Sequence, residues 1–166
     1  MKVIYPDIFP DKRGYFTKVY SQKELDFVCV EENHSFSLNK GTLRGLHFQN
    51  SPHAQAKIVR CVKGAILDVI VDLRKYSPTY MKWISSELSE TNKRQLYIPK
   101  GFAHGFITLQ DGTEIEYKVD DYYDKELERT VRWNDKLLGI NWGVENPVLS
   151  DRDENAPLFK DCDINL

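Results

Sequence analysis

Gly64-Ala65-Ile66-Leu67-Asp68-Val69-Ile70-Val71-Asp72-Leu73 is the stretch whose reading decides the fold. Leu67, Val69, Val71 and Leu73 fall on one face, and Ile66, Asp68, Ile70 and Asp72 on the other, which is the two-residue period of a strand. Working outward, short runs rich in Ile, Val, Tyr and Phe predict further strands at residues 57–63, 83–88, 94–98, 105–109 and 114–119. Turn signals separate them: Lys63-Gly64, Tyr76-Ser77-Pro78, Glu90-Thr91-Asn92, Pro99-Lys100-Gly101 and Gln110-Asp111-Gly112. Many short strands at even spacing point to an all-β antiparallel sandwich or barrel, whose interior is a natural ligand site. Helix is confined to two capping-box sequences, Ser21-Gln22-Lys23-Glu24 and Ser150-Asp151-Arg152-Asp153, and both helices are expected to be brief.

The chain has 166 residues, the size of one domain able to bury a core without disulfides, and no composition shift divides residues 1–166. Its net charge of −2 offers no broad basic surface, so nucleic acid is not an expected partner and any phosphate should meet a local pocket. Cys29, Cys61 and Cys162 are far apart and in no CxxC arrangement, which suits a reducing cytoplasm and no disulfide framework. The first residues lack the apolar core of a signal peptide, and no run approaches a bilayer span, so a soluble protein without a membrane partner is expected.

Chemistry concentrates in a few places. Gly41-Thr42-Leu43-Arg44-Gly45-Leu46-His47-Phe48-Gln49 sets an always-charged guanidinium two apolar residues ahead of an imidazole that titrates near neutrality. Taken alone, His47 is more often a hydrogen-bonded structural histidine. In residues 55–62, Lys57 shares a face with Val59 and Cys61, so its ammonium either reaches past the core to water or is aimed at an anion. Tyr117 lies with Ile115 and Val119 on an apolar face and points inward, as a volume filler or as a proton donor. His104 follows the turn Pro99-Lys100-Gly101, and flanking glycines permit close approach of backbone or ligand. Two histidines on separate strands raise a metal, but a metal-binding cupin shows a His-x-His pair with a carboxylate. Here Phe48 and Gln49 follow His47 and the cation Lys57 comes next, so no metal is expected. Asp153 reads as a helix-cap residue with Ser150 or as a carboxylate that orients a histidine. Arg13, in Asp11-Lys12-Arg13-Gly14-Tyr15-Phe16, reads as a turn arginine or a phosphate ligand beside rings that could stack on a base.

Together these segments resemble the dTDP-4-dehydrorhamnose 3,5-epimerase family of cupin-fold sugar nucleotide epimerases. The resemblance runs over nearly the whole chain, through residues 11–14, 41–49, 57–64, 68–74, 77–80, 97–106, Tyr117-Lys118, Arg132-Trp133-Asn134-Asp135 and Leu149-Ser150-Asp151-Arg152-Asp153. It implies a cupin-type jelly-roll, a homodimer, a nucleotide-diphosphate sugar as substrate, and neither metal nor organic cofactor. It also implies roles: His47 as general base with Asp153 as its partner carboxylate, Tyr117 as general acid and Lys57 near the sugar's C4 oxygen. Arg13, Asn33, Arg44, Gln49, His104, Glu128 and Arg152 fall on or near substrate-contacting positions.

Elementary chemistry makes sense of that set. A carbon acid beside a ketone is too weak for imidazole unless the enolate is stabilised, and a fixed cation at the ketone oxygen does so. Removal of a proton on one face and its return from the other inverts the carbon. The substrate that the resemblance implies is dTDP-4-dehydro-6-deoxy-D-glucose, epimerised at C3 and C5. Lys18 stands where the best-known members carry a glutamate near the nucleotide, which leaves the base open, and related enzymes act at C3 only or on other 4-keto sugars, heptoses included. From another class, a non-catalytic cupin binding a sugar nucleotide or a metal is the alternative.

Overall fold

The computed structural model describes residues 2–166 as twelve strands, two single-turn helices and one 3-10 turn. In chain order the strands are β1 (Lys2–Ile4), β2 (Ile8–Asp11), β3 (Gly14–Thr17), β4 (Glu31–Ser37), β5 (Leu43–Gln49) and β6 (Lys57–Lys63). They continue as β7 (Ala65–Asp72), β8 (Trp83–Ser89), β9 (Gln95–Ile98), β10 (Phe102–Thr108), β11 (Thr113–Val119) and β12 (Glu128–Thr130). Two five-stranded antiparallel sheets, ordered β1-β9-β6-β11-β4 and β12-β5-β10-β7-β8, face one another, while β2 and β3 form a separate hairpin. No helix among the described residues is long and apolar enough to cross a membrane.

The alternation in residues 64–73 has a direct structural result. Ile66 and Ile70 of β7 face the other sheet and join Val59, Cys61, Leu96, Ile98, Phe106 and Ile115 in the core between the sheets. Leu67, Val69, Val71 and Leu73 face outward, where Leu138, Trp142 and Phe159 of the C-terminal segment cover them. Both faces of β7 are thus buried, the inward one carrying Asp68 and Asp72 between its isoleucines. Lys57, Val59 and Cys61 share the inward face of β6, as their spacing predicts, and Ile115 and Tyr117 face inward from β11.

The sheets form an open sandwich and do not close into a barrel. Edge strands β4 and β12 carry Glu31, Glu32, Asn33, Glu128 and Arg129, whose polar and charged side chains a closed seam would have to desolvate. The open margin is a cleft instead. Helix α1 spans Gln22–Leu25, but Ser21 makes no side-chain cap and Glu24 turns to Lys18 at 2.5 Å, so the first capping box is not formed. Helix α2 spans Asp151–Glu154, and there the Ser150 hydroxyl accepts the Asp153 amide at 3.2 Å.

Candidate active site

His47 and Arg44 are three residues apart, so a regular strand would send them to opposite faces. A bulge prevents this: His47 pairs with His104 and Arg44 with Phe106, so β5 spends one residue more than β10 over the same span. Gly45 takes up the irregularity at φ +138°, and it and Gly105 are in backbone contact. A Cβ on Gly45 would lie 2.5 Å from the Gly105 Cα, and one on Gly105 would lie 2.9 Å from the Arg44 carbonyl. Both side chains consequently line a cavity of about 720 Å³ between the sheets. A smaller chamber of about 180 Å³ adjoins it, and His47, Lys57, Tyr117 and Glu128 belong to the walls of both.

His47 projects from one sheet, Lys57 (β6) and Tyr117 (β11) from the other. The His47 Nε2 meets Asp153 Oδ1 at 2.6 Å; the carboxylate is buried and the imidazole is about a quarter exposed. Burial works to raise the Asp153 carboxyl, but the His47 hydrogen bond and charge, the Ser150 hydroxyl and the Gly45 amide outweigh it and hold it below the usual carboxylate range. An ionised carboxylate only accepts, so the imidazole proton sits on Nε2 and Nδ1 is left basic. Asp153 therefore makes both contacts, its amide with the Ser150 hydroxyl at the helix start and its side chain with the histidine.

The Lys57 ammonium lies 5.9 Å from the centre of the Tyr117 ring. Desolvation lowers its proton affinity, opposed by Glu128 and Asp68 and reinforced by Arg152. Burial raises the Tyr117 phenol, with Glu128 and Glu31 adding to the rise and Arg44 opposing it, so the hydroxyl keeps its proton at neutral pH. Around this centre two guanidiniums line the larger cavity: Arg44 donates to the Phe36 carbonyl at 3.0 Å, and Arg152 pairs with Glu128 at 2.8 Å and donates to Thr130 Oγ1 at 2.6 Å. Glu128 also accepts from the Tyr123 hydroxyl at 2.8 Å. Among the described residues no group of three or more His, Cys, Asp or Glu is placed to hold a metal ion.

A model of the dTDP-4-dehydrorhamnose 3,5-epimerase family matches residues 1–161. The chain belongs to this family. The dTDP-4-dehydrorhamnose 3,5-epimerase of Shigella flexneri is 48% identical to it over 167 residues, covering 97% of this chain and 92% of the relative. A crystal structure of the Bacillus anthracis dTDP-4-dehydrorhamnose 3,5-epimerase with TDP and pyrophosphate bound superimposes with a TM-score of 0.93 at 49% identity, over 95% of this chain and 93% of that one. The Legionella pneumophila dTDP-6-deoxy-D-glucose-3,5-epimerase, in complex with dTDP-4-keto-L-rhamnose, gives a TM-score of 0.91 at 40% identity, over 97% and 88% of the two chains.

Of the residues that the resemblance to this family singles out, His47, Lys57, Tyr117, Asp153, Arg44, His104, Glu128 and Arg152 line the larger cavity, and Asn33 and Gln49 line the smaller. Arg13 is apart from both. It sits on the β2–β3 hairpin, largely exposed, and pairs with Asp11 at 2.6 Å. Sequence reasoning missed Asp68: fully buried, it holds the His104 Nε2 at 2.8 Å and forms a second imidazole–carboxylate pair. Burial raises the Asp68 carboxyl, against the pull of His104 and Lys57. The signal was present, since an acid among Ile66, Ile70 and the other inward residues of an apolar strand demands a partner.

Proposed function

We propose that this chain epimerises dTDP-4-dehydro-6-deoxy-D-glucose at C3 and C5 to dTDP-4-dehydro-L-rhamnose, without a cofactor. The observation that carries the reading is His47 on one sheet, paired at 2.6 Å with Asp153 of helix α2, facing Lys57 and Tyr117 on the other sheet. In this reading His47 Nδ1 takes the proton next to the ketone, and Asp153 stabilises the imidazolium that results. Lys57 places its charge at the C4 oxygen, where the enolate gathers negative charge as the C–H bond breaks. Tyr117 then returns a proton from the opposite face, so the carbon inverts. The polar small chamber takes the sugar, and Arg44 and Arg152 hold the diphosphate in the larger one, supplying binding energy remote from the reacting carbon.

The chain works, on this reading, as one domain of residues 1–166 in the cytoplasm and as a homodimer. Support for the dimer comes from the hairpin: Phe9 and Phe16, cross-strand partners on one face of it, are both more than half exposed. Seating it on a second copy would cover these rings and carry Arg13 to that copy's nucleotide. Light scattering should return twice the chain mass of 19.4 kDa.

The activity is tested by incubating the protein with the dTDP sugar in D2O and following C3 and C5 by NMR. Deuterium should enter at both carbons with appearance of the 4-keto-rhamnose. Uptake at C3 alone would establish the monoepimerase instead, and no uptake at either would refute the proposal.

A further inference from the structure

Gln49 has a different job from the one its place in the cleft suggests. It lies at the end of β5, two residues beyond His47 and opposite Glu128 of β12, and it is 4% exposed. Its carboxamide is already engaged on both ends. Nε2 donates to the Tyr122 carbonyl at 3.0 Å and to the His53 carbonyl, and Oε1 accepts the Asp124 amide at 2.9 Å. One side chain thus ties residues 122 and 124 to the segment after β5, bracketing Tyr123. The Tyr123 hydroxyl in turn donates to Glu128, which pairs with Arg152, the neighbour of Asp153.

We propose that Gln49 is a positioning residue that fixes Tyr123 and Glu128 on the wall of the small chamber, and that it is not a ligand of the sugar. Only an amide offers donors and an acceptor from one planar group, and three of its bonds are committed to backbone. Both donors of the carboxamide are spent, so a ligand oxygen seeking an N–H from Gln49 would have to displace a desolvated bond to backbone. Gln55 Nε2, bonded to the Asp121 carbonyl at 2.9 Å, and the Ala56 amide, bonded to Asp120 at 2.7 Å, hold the start of the same segment. Among the described residues Gln49 alone holds the Tyr122 carbonyl and the Asp124 amide, the two backbone groups on either side of Tyr123. The inference rests on the proposed epimerase reading for its kinetic consequence and on the hydrogen bonds alone for its structural one.

The test separates the two. In Gln49→Met, which keeps the length of the side chain and loses its hydrogen bonds, native-state hydrogen exchange of Asp124 should quicken at least about tenfold while the β7 and β10 amides stay protected. Gln49→Leu, of similar volume and with neither donor nor acceptor, should loosen the segment in the same way and serves if methionine packs poorly. With the dTDP sugar in D2O, Gln49→Met should lower kcat about tenfold and shift the C3-to-C5 ratio of deuterium uptake, because the sugar wall has moved. Adding Tyr123→Phe should cost no more than a further twofold, since the two side chains act as one unit. Unchanged Asp124 exchange, a rise in KM with kcat and the C3-to-C5 ratio intact, or losses that multiply in the double variant would each overturn the proposal. Absence of uptake by the wild-type protein would count against the epimerase reading alone, and the Asp124 result would still decide the positioning role.

Discussion

Replacing Asp153 by asparagine removes the charge that meets His47, and with it part of what the Ser150 hydroxyl and the Gly45 amide engage. The side chain keeps its size and the helix cap is untouched, because the Ser150 bond uses the Asp153 backbone amide. What disappears is a charge-assisted bond of 2.6 Å whose carboxylate is 4% exposed and whose imidazole is 27% exposed. A hydrogen bond to a charged group contributes about 1.5–3 kcal/mol. That support grows as His47 becomes an imidazolium in the transition state, so most of it should appear in kcat. At about 1.4 kcal/mol per decade, the expected loss is roughly 10- to 150-fold. A larger loss follows if the amide donates to Nε2, because the imidazole proton then moves to Nδ1 and the base is blocked; such tautomer reversal costs about 10⁴-fold in the serine-protease triad. The assay is the rate of deuterium uptake at C3 and C5 under saturating substrate. A kcat within about twofold of wild type, in a variant with normal thermal unfolding, would refute the assignment of Asp153 as partner of the base.

Lys57→Met should lower kcat by about 10²–10³, the effect of losing one oxyanion-stabilising group, while raising the urea midpoint because a poorly solvated ammonium is gone; equal or lower stability would show that the lysine is not held at a desolvation cost. Gly45→Ala places a Cβ against the Gly105 backbone at a positive φ and should destabilise the protein by about 3 kcal/mol or more in urea unfolding, with loss of activity from re-aimed Arg44 and His47. Burial lifts the Cys61 thiol to about 11, so iodoacetamide at pH 8 should leave it unmodified until the protein is unfolded. Asp153 and Glu116 both have carboxyls held below their ordinary values in the folded state: for each, burial alone would raise it, and the bonds to His47 and Arg60 respectively prevail. Their stabilisation is complete above the unfolded carboxylate values near pH 4 and is lost as pH falls through the lower folded values, so the melting temperature should drop on acidification below about pH 4.

What could be read from the chain without coordinates follows the side-chain period. In residues 57–61 and 115–119 the two-residue period groups Lys57 with Val59 and Cys61, and Tyr117 with Ile115 and Val119, so the aim of Lys57 and Tyr117 was legible, and these are two of the four groups at the centre of the site. Strand β4, Glu31-Glu32-Asn33-His34-Ser35-Phe36-Ser37, was not, because an edge strand with one face toward a polar cleft carries too few apolar residues to show alternation. The hairpin β2–β3 escaped for a related reason, as all its residues but Thr17 are exposed and no buried face imposes a pattern. The spacing of Arg44 and His47 misleads outright, since their common face depends on a bulge that follows from the contact of Gly45 with Gly105, sixty residues away in the chain. Pairings such as His47 with Asp153 and His104 with Asp68 are likewise long-range, and residue types alone suggest candidates without joining them.

The central claim is that two groups on opposed sheets share the proton traffic at one carbon. It is tested most directly by Tyr117→Phe with the dTDP sugar in D2O, scoring deuterium uptake and configuration at C3 separately. In that variant His47 should still remove and return the proton on its own face, so recovered substrate carries deuterium at C3 with retained configuration while epimer formation falls by at least about 10²-fold. Epimer formed at the wild-type rate would contradict the account, as would the loss of exchange together with inversion in a variant that folds normally.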